Sequence, residues 1–342
     1  MESNSSPKIK LEKGNTYFFI CYALVCGGKS TFFDQIILQT NSEENKSKYN
    51  IQIVSSDQIR ADLSKKMQKE NPNMTFKQCF DTLGKETSRE FDIQIKEAIH
   101  KTDKSKINII LVDKNYPQGI DGFVKKFCKN KYSQFFVVFI PKILKPIEVS
   151  NLKFPFSLNY FIQCYLRLKN RHGHEVLNGE DENSKLVYIS FFKLFENFDF
   201  YKKIKGNKSE DKKFKEKENE STIQKRERSR DKYYQNKKNY FNFSENIFIQ
   251  KIDFTDEKKD LDIDEEIKKF FEEVISKMKA FDMKDLKENY QKKIDDFFKN
   301  IDEKYDGKNF FEDTREKIKE QVIELLKDGI DEKNKYYKNI KS

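Results

Sequence analysis

Short apolar runs alternate along this chain with longer stretches whose apolar positions recur at helical spacing. The runs at 17–25, 50–55, 107–112 and 134–140 read as β-strands, with a fifth at 246–252. Two of them, Ile107-Asn108-Ile109-Ile110-Leu111-Val112 and Phe135-Phe136-Val137-Val138-Phe139-Ile140, are nearly continuous. Continuous runs suit strands covered on both faces, as in parallel sheets. Helical patterns lie between them, at 31–39, 59–66, 76–101 and 117–129. The alternation predicts an α/β three-layer sandwich on a mostly parallel sheet. Beyond 282 the pattern becomes wholly helical: Leu286, Tyr290, Ile294 and Phe297–Phe298, then Phe310–Phe311, Ile318, Val322, Leu325–Leu326 and Ile330. With Tyr305-Asp306-Gly307 as a turn, this predicts a C-terminal helical extension, a hairpin that packs on the body or on a partner protein.

Residues 202–241 interrupt the alternation. They contain almost no aliphatic side chains, and their Lys and Arg outnumber Asp and Glu, so they carry most of the chain's formal net charge of +10. Such a segment is either a phosphate-contacting surface, with Tyr233, Tyr234, Tyr240 and Phe241 for stacking, or a solvated low-complexity insertion. The expected division is a flexible N-terminus at 1–14, a core at 15–201 with a lid near 165–180, and the basic insert at 202–241. The last strand and helix of the core follow at 242–282, and the helical extension at 283–342.

Charged residues make up 36% of the 342, and no apolar run reaches the roughly 18–20 residues of a membrane span. The N-terminal MESNSSPKIKLEKGN lacks the apolar centre of a signal peptide, so an intracellular protein, cytoplasmic or nuclear, is expected. Cys21, Cys26, Cys79, Cys128 and Cys164 are odd in number and have no CxxC spacing, which argues against a disulfide frame or a zinc site. Only three histidines occur, which Mg²⁺ does not need.

The candidate chemistry lies where strands end. The first strand runs through ALVCGGKST, residues 23–31, into a helix. A strand, a Gly-rich turn, Lys-Ser and a helix form the arrangement of a nucleoside-triphosphate P-loop, whose backbone N–H groups cradle phosphates. Gly27, Gly28, Lys29, Ser30 and Thr31 would bind the nucleotide. Lys29 would reach the β- and γ-phosphates, and Ser30 would sit on Mg²⁺. Ala23 stands where the GxxxxGK[ST] pattern has its first Gly. The second strand ends in Ser56-Asp57-Gln58-Ile59-Arg60 and the third in Asp113-Lys114-Asn115. In a parallel sheet these carboxyl ends form the ligand crevice. Asp57 also reads as the cap of the following helix, a role compatible with chemistry, and Asp113 as a solvated turn residue, but with the loop upstream the functional reading is preferred for both.

In this order the pieces resemble the P-loop polynucleotide 5′-kinases, nearest the kinase domain of fungal-type multidomain tRNA ligases, with phage polynucleotide kinase a more distant relative. The resemblance rests on Gly28-Lys29-Ser30-Thr31, Asp57 with Arg60, Asp113-Lys114-Asn115, and the basic RLKNRHGHEVL at 167–177. It covers roughly residues 15–200 and a final strand and helix at 246–280. It implies a P-loop kinase-type sandwich that transfers the γ-phosphoryl group of ATP or GTP, with Mg²⁺, to the 5′-hydroxyl of RNA or an oligonucleotide. Asp57 would be the general base, Arg60 would grip the acceptor, Asp113 would order the metal, and Arg167 and Arg171 would be lid arginines on one helix face. His174 matches a lid histidine of that family and is given no chemical role. Cys26 occupies a position where such kinases usually carry Gly. Neither a KxDG motif nor paired HxT/HxS elements occur, so the implied protein is a stand-alone kinase piece or a divergent relative. A nucleoside or small-metabolite kinase shares the loop and the base. A decayed loop would leave only a scaffold.

Overall fold

The computed structural model describes residues 8–116, 120–130, 132–141, 147–149, 152–171, 177, 179, 181, 183–196, 246–254, 265–305 and 312–331. The basic insert, His172, His174 and the turn at Gly307 lie outside these residues. The strands in chain order are β1 (Lys8–Ile9), β2 (Thr16–Cys21), β3 (Tyr49–Ser55), β4 (Ile107–Asp113), β5 (Gln134–Pro141), β6 (Ile147–Val149), β7 (Leu152–Phe154), β8 (Ile247–Ile252) and β9 (Ile330–Asp331). The α-helices of six residues or more are α1 (Lys29–Thr40), α2 (Ser56–Glu70), α3 (Phe76–Thr82), α4 (Gly84–His100), α5 (Asp121–Phe127), α6 (Leu158–Lys169), α7 (Asn183–Lys193), α8 (Glu265–Phe270), α9 (Gln291–Tyr305) and α10 (Glu312–Asp328).

Five strands form a parallel sheet in the order β3-β4-β2-β5-β8, flanked by helices. Every residue of β2 is buried, as are the first six of β4, which is why both read as nearly continuous apolar runs. Phe18 stacks on Phe136 of the adjacent β5, with ring centroids 4.7 Å apart. The edge strand β3 is more open, with only Tyr49 and Val54 buried. Its Asn50 and Gln52 amides donate to the carbonyls of Lys101 and Ala98, 2.9 and 3.1 Å away, which satisfies the polar positions of YNIQIVS. Asn108 is the polar exception in β4. Its amide donates to the carbonyls of Asn15, Asp103 and Lys106, so its burial leaves no donor stranded.

The chain steps outward from β2 to β3, returns to β4, and crosses β2 to reach β5. Right-handed crossovers put the helices of outward and returning steps on opposite faces. The chain therefore diverges at the carboxyl end of β2, the position where open α/β sheets bind ligands.

Several elements differ from the sequence expectation. The apolar run at 17–25 stays strand only to Cys21, because the last four residues form the turn into α1. The helix expected over 76–101 breaks at Leu83 into α3 and α4, and α3 is fixed by a capping box between Thr75 and Gln78. The β6–β7 hairpin carried no sequence signal. Lys8 and Ile9, expected within a flexible N-terminus, pair with Asp331 and Ile330. The Lys8 ammonium also meets Glu324 at 2.7 Å, which anchors this end on α10. The two C-terminal helices have different principal partners, α9 on α7 and α10 on α1. Phe298 of α9 packs on Tyr165, centroids 4.1 Å apart, and the Tyr49 hydroxyl donates to the Leu326 carbonyl of α10. Among the described residues, no helix is long and apolar enough to cross a membrane.

Candidate functional site

The turn between β2 and α1 lies at the centre of the sheet's carboxyl edge. Ala23 has no positive φ, so a side chain at the first position of the motif costs nothing in backbone strain. The residues that need special backbone come later. Cys26 has φ 60° and Gly28 has φ 92°. Gly27 is held by close approach. A Cβ there would lie 2.2 Å from the Tyr160 hydroxyl and 2.8 Å from the Leu24 carbonyl, and that hydroxyl donates to the Gly27 carbonyl at 3.2 Å.

Gly28 is the N-cap of α1, and no side chain caps this end. The first helical bond runs from the Phe32 N–H to the Gly28 carbonyl, so the amides of Lys29, Ser30 and Thr31 find no partner within the helix. No acidic residue occupies the first turn. The end of α1 therefore presents free donors and the positive pole of the helix dipole, where an anion is favoured.

Two neighbouring strand ends meet this turn. Ser55 and Asp113 are register partners on β3 and β4. The Lys29 ammonium forms an ion pair with one Asp113 carboxylate oxygen. The other oxygen accepts from the Ser55 hydroxyl at 2.9 Å. That hydroxyl oxygen also accepts from the Gln58 amide, so Ser55, not Asp57, caps α2. Asp57, one residue inside α2, is exposed, and no hydrogen bond or ion pair ties its carboxylate to another described side chain. Arg60 is committed elsewhere. Its Nε donates to the Phe80 carbonyl at 2.7 Å, and its guanidinium lies 4.0 Å over the Phe80 ring. Burial lowers its pKa, with Asp81 and Asp57 opposing the shift.

Arg167 and Arg171 both reach the turn. Arg167 donates to the Phe254 carbonyl at 2.7 Å and to the Cys26 carbonyl at 3.4 Å. Arg171 approaches the Cys26 sulfur at 3.8 Å. They do not share a helix face as expected. α6 ends at Lys169, and Arg171 lies in a turn whose N–H bonds to the Leu168 carbonyl. Arg167 itself belongs to a helix whose residues are almost all buried, so it projects from the core and not from a loop. Burial raises the Cys26 thiol pKa, against the pull of the two arginines.

Among the described residues, the Ser30 hydroxyl and the Asp113 carboxylate offer hard oxygen donors nearest the turn. Among the described residues no cluster of three or more His, Cys, Asp or Glu could hold a metal by itself. Mg²⁺ is commonly held by one or two protein oxygens, with phosphate and water completing the octahedron, so the donor set fits that ion. With both Asp113 oxygens engaged, contact through water suits this residue best.

No family model matches this chain, and no curated protein does. Among the positions expected from sequence, the structure brings Gly27, Gly28, Lys29, Asp113, Arg167 and Arg171 together. Ser30 and Thr31 follow on the same helix end. Arg60 is drawn toward α3. Ser55, Tyr160 and Phe254 complete the turn's surroundings and were missed. Ser55 could have been found as the first Ser of a strand-ending Ser-Ser-Asp. Tyr160, within the family-like segment 155–160, and Phe254 reach the turn from far along the chain, and no local pattern assigns either to it.

Proposed function

We propose that this protein is a nucleoside-triphosphate-dependent phosphotransferase of the P-loop kinase type, acting on the 5′-hydroxyl of RNA or an oligonucleotide. The observation that supports it best is the Lys29–Asp113 ion pair, set under the uncapped end of α1 at the sheet's switch point. The left-handed backbone at Cys26 adds support, since it occurs where a Gly-rich phosphate loop would carry glycine.

The free amides of α1 and the Lys29 ammonium would hold the β- and γ-phosphates of ATP or GTP. Mg²⁺, held by Ser30 and through water by Asp113, would supply neutralisation of phosphate charge. Arg167 and Arg171 would add positive charge above the turn. Asp57 would take the proton of the attacking hydroxyl. The acceptor oxygen forms a bond to the γ-phosphorus as the bond to the β–γ bridging oxygen breaks, and a nucleoside diphosphate leaves. The phosphates would displace Lys29 from Asp113, freeing the carboxylate for the metal's water shell.

One observation favours a small acceptor over a polynucleotide. Arg60 spends its Nε and its ring-stacking face on Phe80, which limits its grip on an acceptor phosphate. Calorimetric titration with Mg·ATP and Mg·GTP tests the proposal at its base. Wild type should bind one of them, and Lys29→Ala should bind it at least about tenfold more weakly. Absence of binding by wild type would overturn it.

A further inference from the structure

Beside Asp113, between α4 and α5, lies a groove of about 310 Å³ that the chemistry above leaves unused. Its walls are Phe91, Tyr116 and Phe123, with Lys114, Lys126 and Asp92 at the polar side. Lys114 immediately follows Asp113 in the chain, so this groove opens from the end of the same strand that enters the candidate site. Asp92 is engaged by Lys126. Lys114 is different. Its ammonium lies 4.8 Å from the Phe91 ring and 5.9 Å from the Tyr116 ring, and among the described residues it forms no ion pair. Lys114 is partly buried, and the Asp92 carboxylate and the Lys126 ammonium act on it with opposite sign. A partly buried cation set against ring faces, whose nearest carboxylate Asp92 is already paired with Lys126, would be completed by an anion in the groove. Two lysines against one carboxylate leave the groove net positive. The Tyr116 ring, set edge-on to Phe123 at 5.6 Å, adds an aromatic wall of the kind on which bases stack.

We propose that this groove is the acceptor's second contact: Lys114, assisted by Lys126, binds the phosphate on the 3′ side of the terminal nucleotide, and Tyr116 supports its base. This rests on the kinase reading and adds a second cation for the acceptor phosphate beside Arg60, whose Nε and stacking face are spent on Phe80. The groove would then distinguish a nucleotide chain from a free nucleoside.

The test is calorimetric titration of a nucleoside 3′-monophosphate and of the same nucleoside without phosphate, each against wild type, Lys114→Gln and Lys114→Arg. Wild type should prefer the phosphorylated ligand by about tenfold or more, the contribution of a charge-assisted contact. Lys114→Gln should remove most of that preference and Lys114→Arg should keep it. Tyr116→Leu should weaken both ligands in parallel. If Lys114→Gln retains the wild-type preference, the assignment is overturned. Should Lys114→Gln fail to fold, Lys126→Gln must reduce the preference at least threefold, and an unchanged preference overturns the proposal equally. Titration of Mg·ATP separates the two readings. Triphosphate binding with no phosphate preference sinks the groove alone. Phosphate preference that depends on Lys114, without triphosphate binding, sinks the kinase reading and leaves a nucleotide groove.

Discussion

The residue whose replacement separates chemistry from packing most cleanly is Asp57. It is exposed at the start of α2, and Ser55 already caps that helix, so Asp57→Asn should leave the melting temperature unchanged. Transfer to an acceptor should fall by roughly 10²–10⁴-fold, the contribution of a positioned base, with triphosphate affinity retained. Initial rates at saturating nucleotide check this, and a rate near wild type would reduce Asp57 to a surface carboxylate. The turn makes a second demand. Gly27→Ala puts a Cβ against a backbone carbonyl as well as the Tyr160 hydroxyl, and should cost about 1–3 kcal/mol in urea unfolding. Ala23→Gly should cost about 1–2 kcal/mol, from a lost buried methyl and added freedom of the unfolded chain, with nothing regained from relieved backbone strain. A more stable Ala23→Gly variant would mean that the turn's constraint is misplaced. These residues also differ in how far sequence could reach them. Lys29 and Asp113 follow directly from strands that end in polar residues. The cap moved from Asp57 to Ser55 because both are good caps and only the strand's true end chooses between them. Arg171 was placed on a helix because spacing by four cannot show where a helix stops.

At the scale of elements, the central strands were legible because β2, β4 and β5 are covered on both faces and read as nearly continuous apolar runs. The C-terminal helices were legible as amphipathic but not in their destinations. An apolar stripe says that a face is buried and not against what. Their integration carries a prediction. Phe298 is fully buried against Phe161, Tyr165 and Tyr188, so Phe298→Ala should destabilise the whole protein by roughly 3–5 kcal/mol in chemical denaturation. It should do so in one transition with the sheet. A separate early transition, with the sheet unaffected, would make α9 an independent appendage. Arg167 extends the same logic to the site. It leaves a buried helix and ends on the carbonyls of Phe254 and Cys26, so the fold holds it over the turn in advance of any ligand.

For the molecule as a whole, the excess of Lys and Arg concentrates in 202–241 while the candidate site sits at the sheet's edge. Deleting residues 207–239 should leave the melting temperature and Mg·ATP affinity near wild type, since so polar a segment adds little to a core. If the segment meets RNA, the deletion should also flatten the salt dependence of RNA binding. An insoluble product would place a structural element there. All of this depends on one central claim, that the turn after β2 is a phosphoryl-transfer centre. The direct measurement is release of label from γ-labelled ATP or GTP onto a 5′-hydroxyl oligoribonucleotide, its DNA counterpart and a free nucleoside, by wild type and Lys29→Ala. The account predicts labelled 5′-phosphate on the oligoribonucleotide with wild type, and a loss of at least about 10²-fold with Lys29→Ala. No labelled product with any acceptor, or equal product from both proteins, would contradict it.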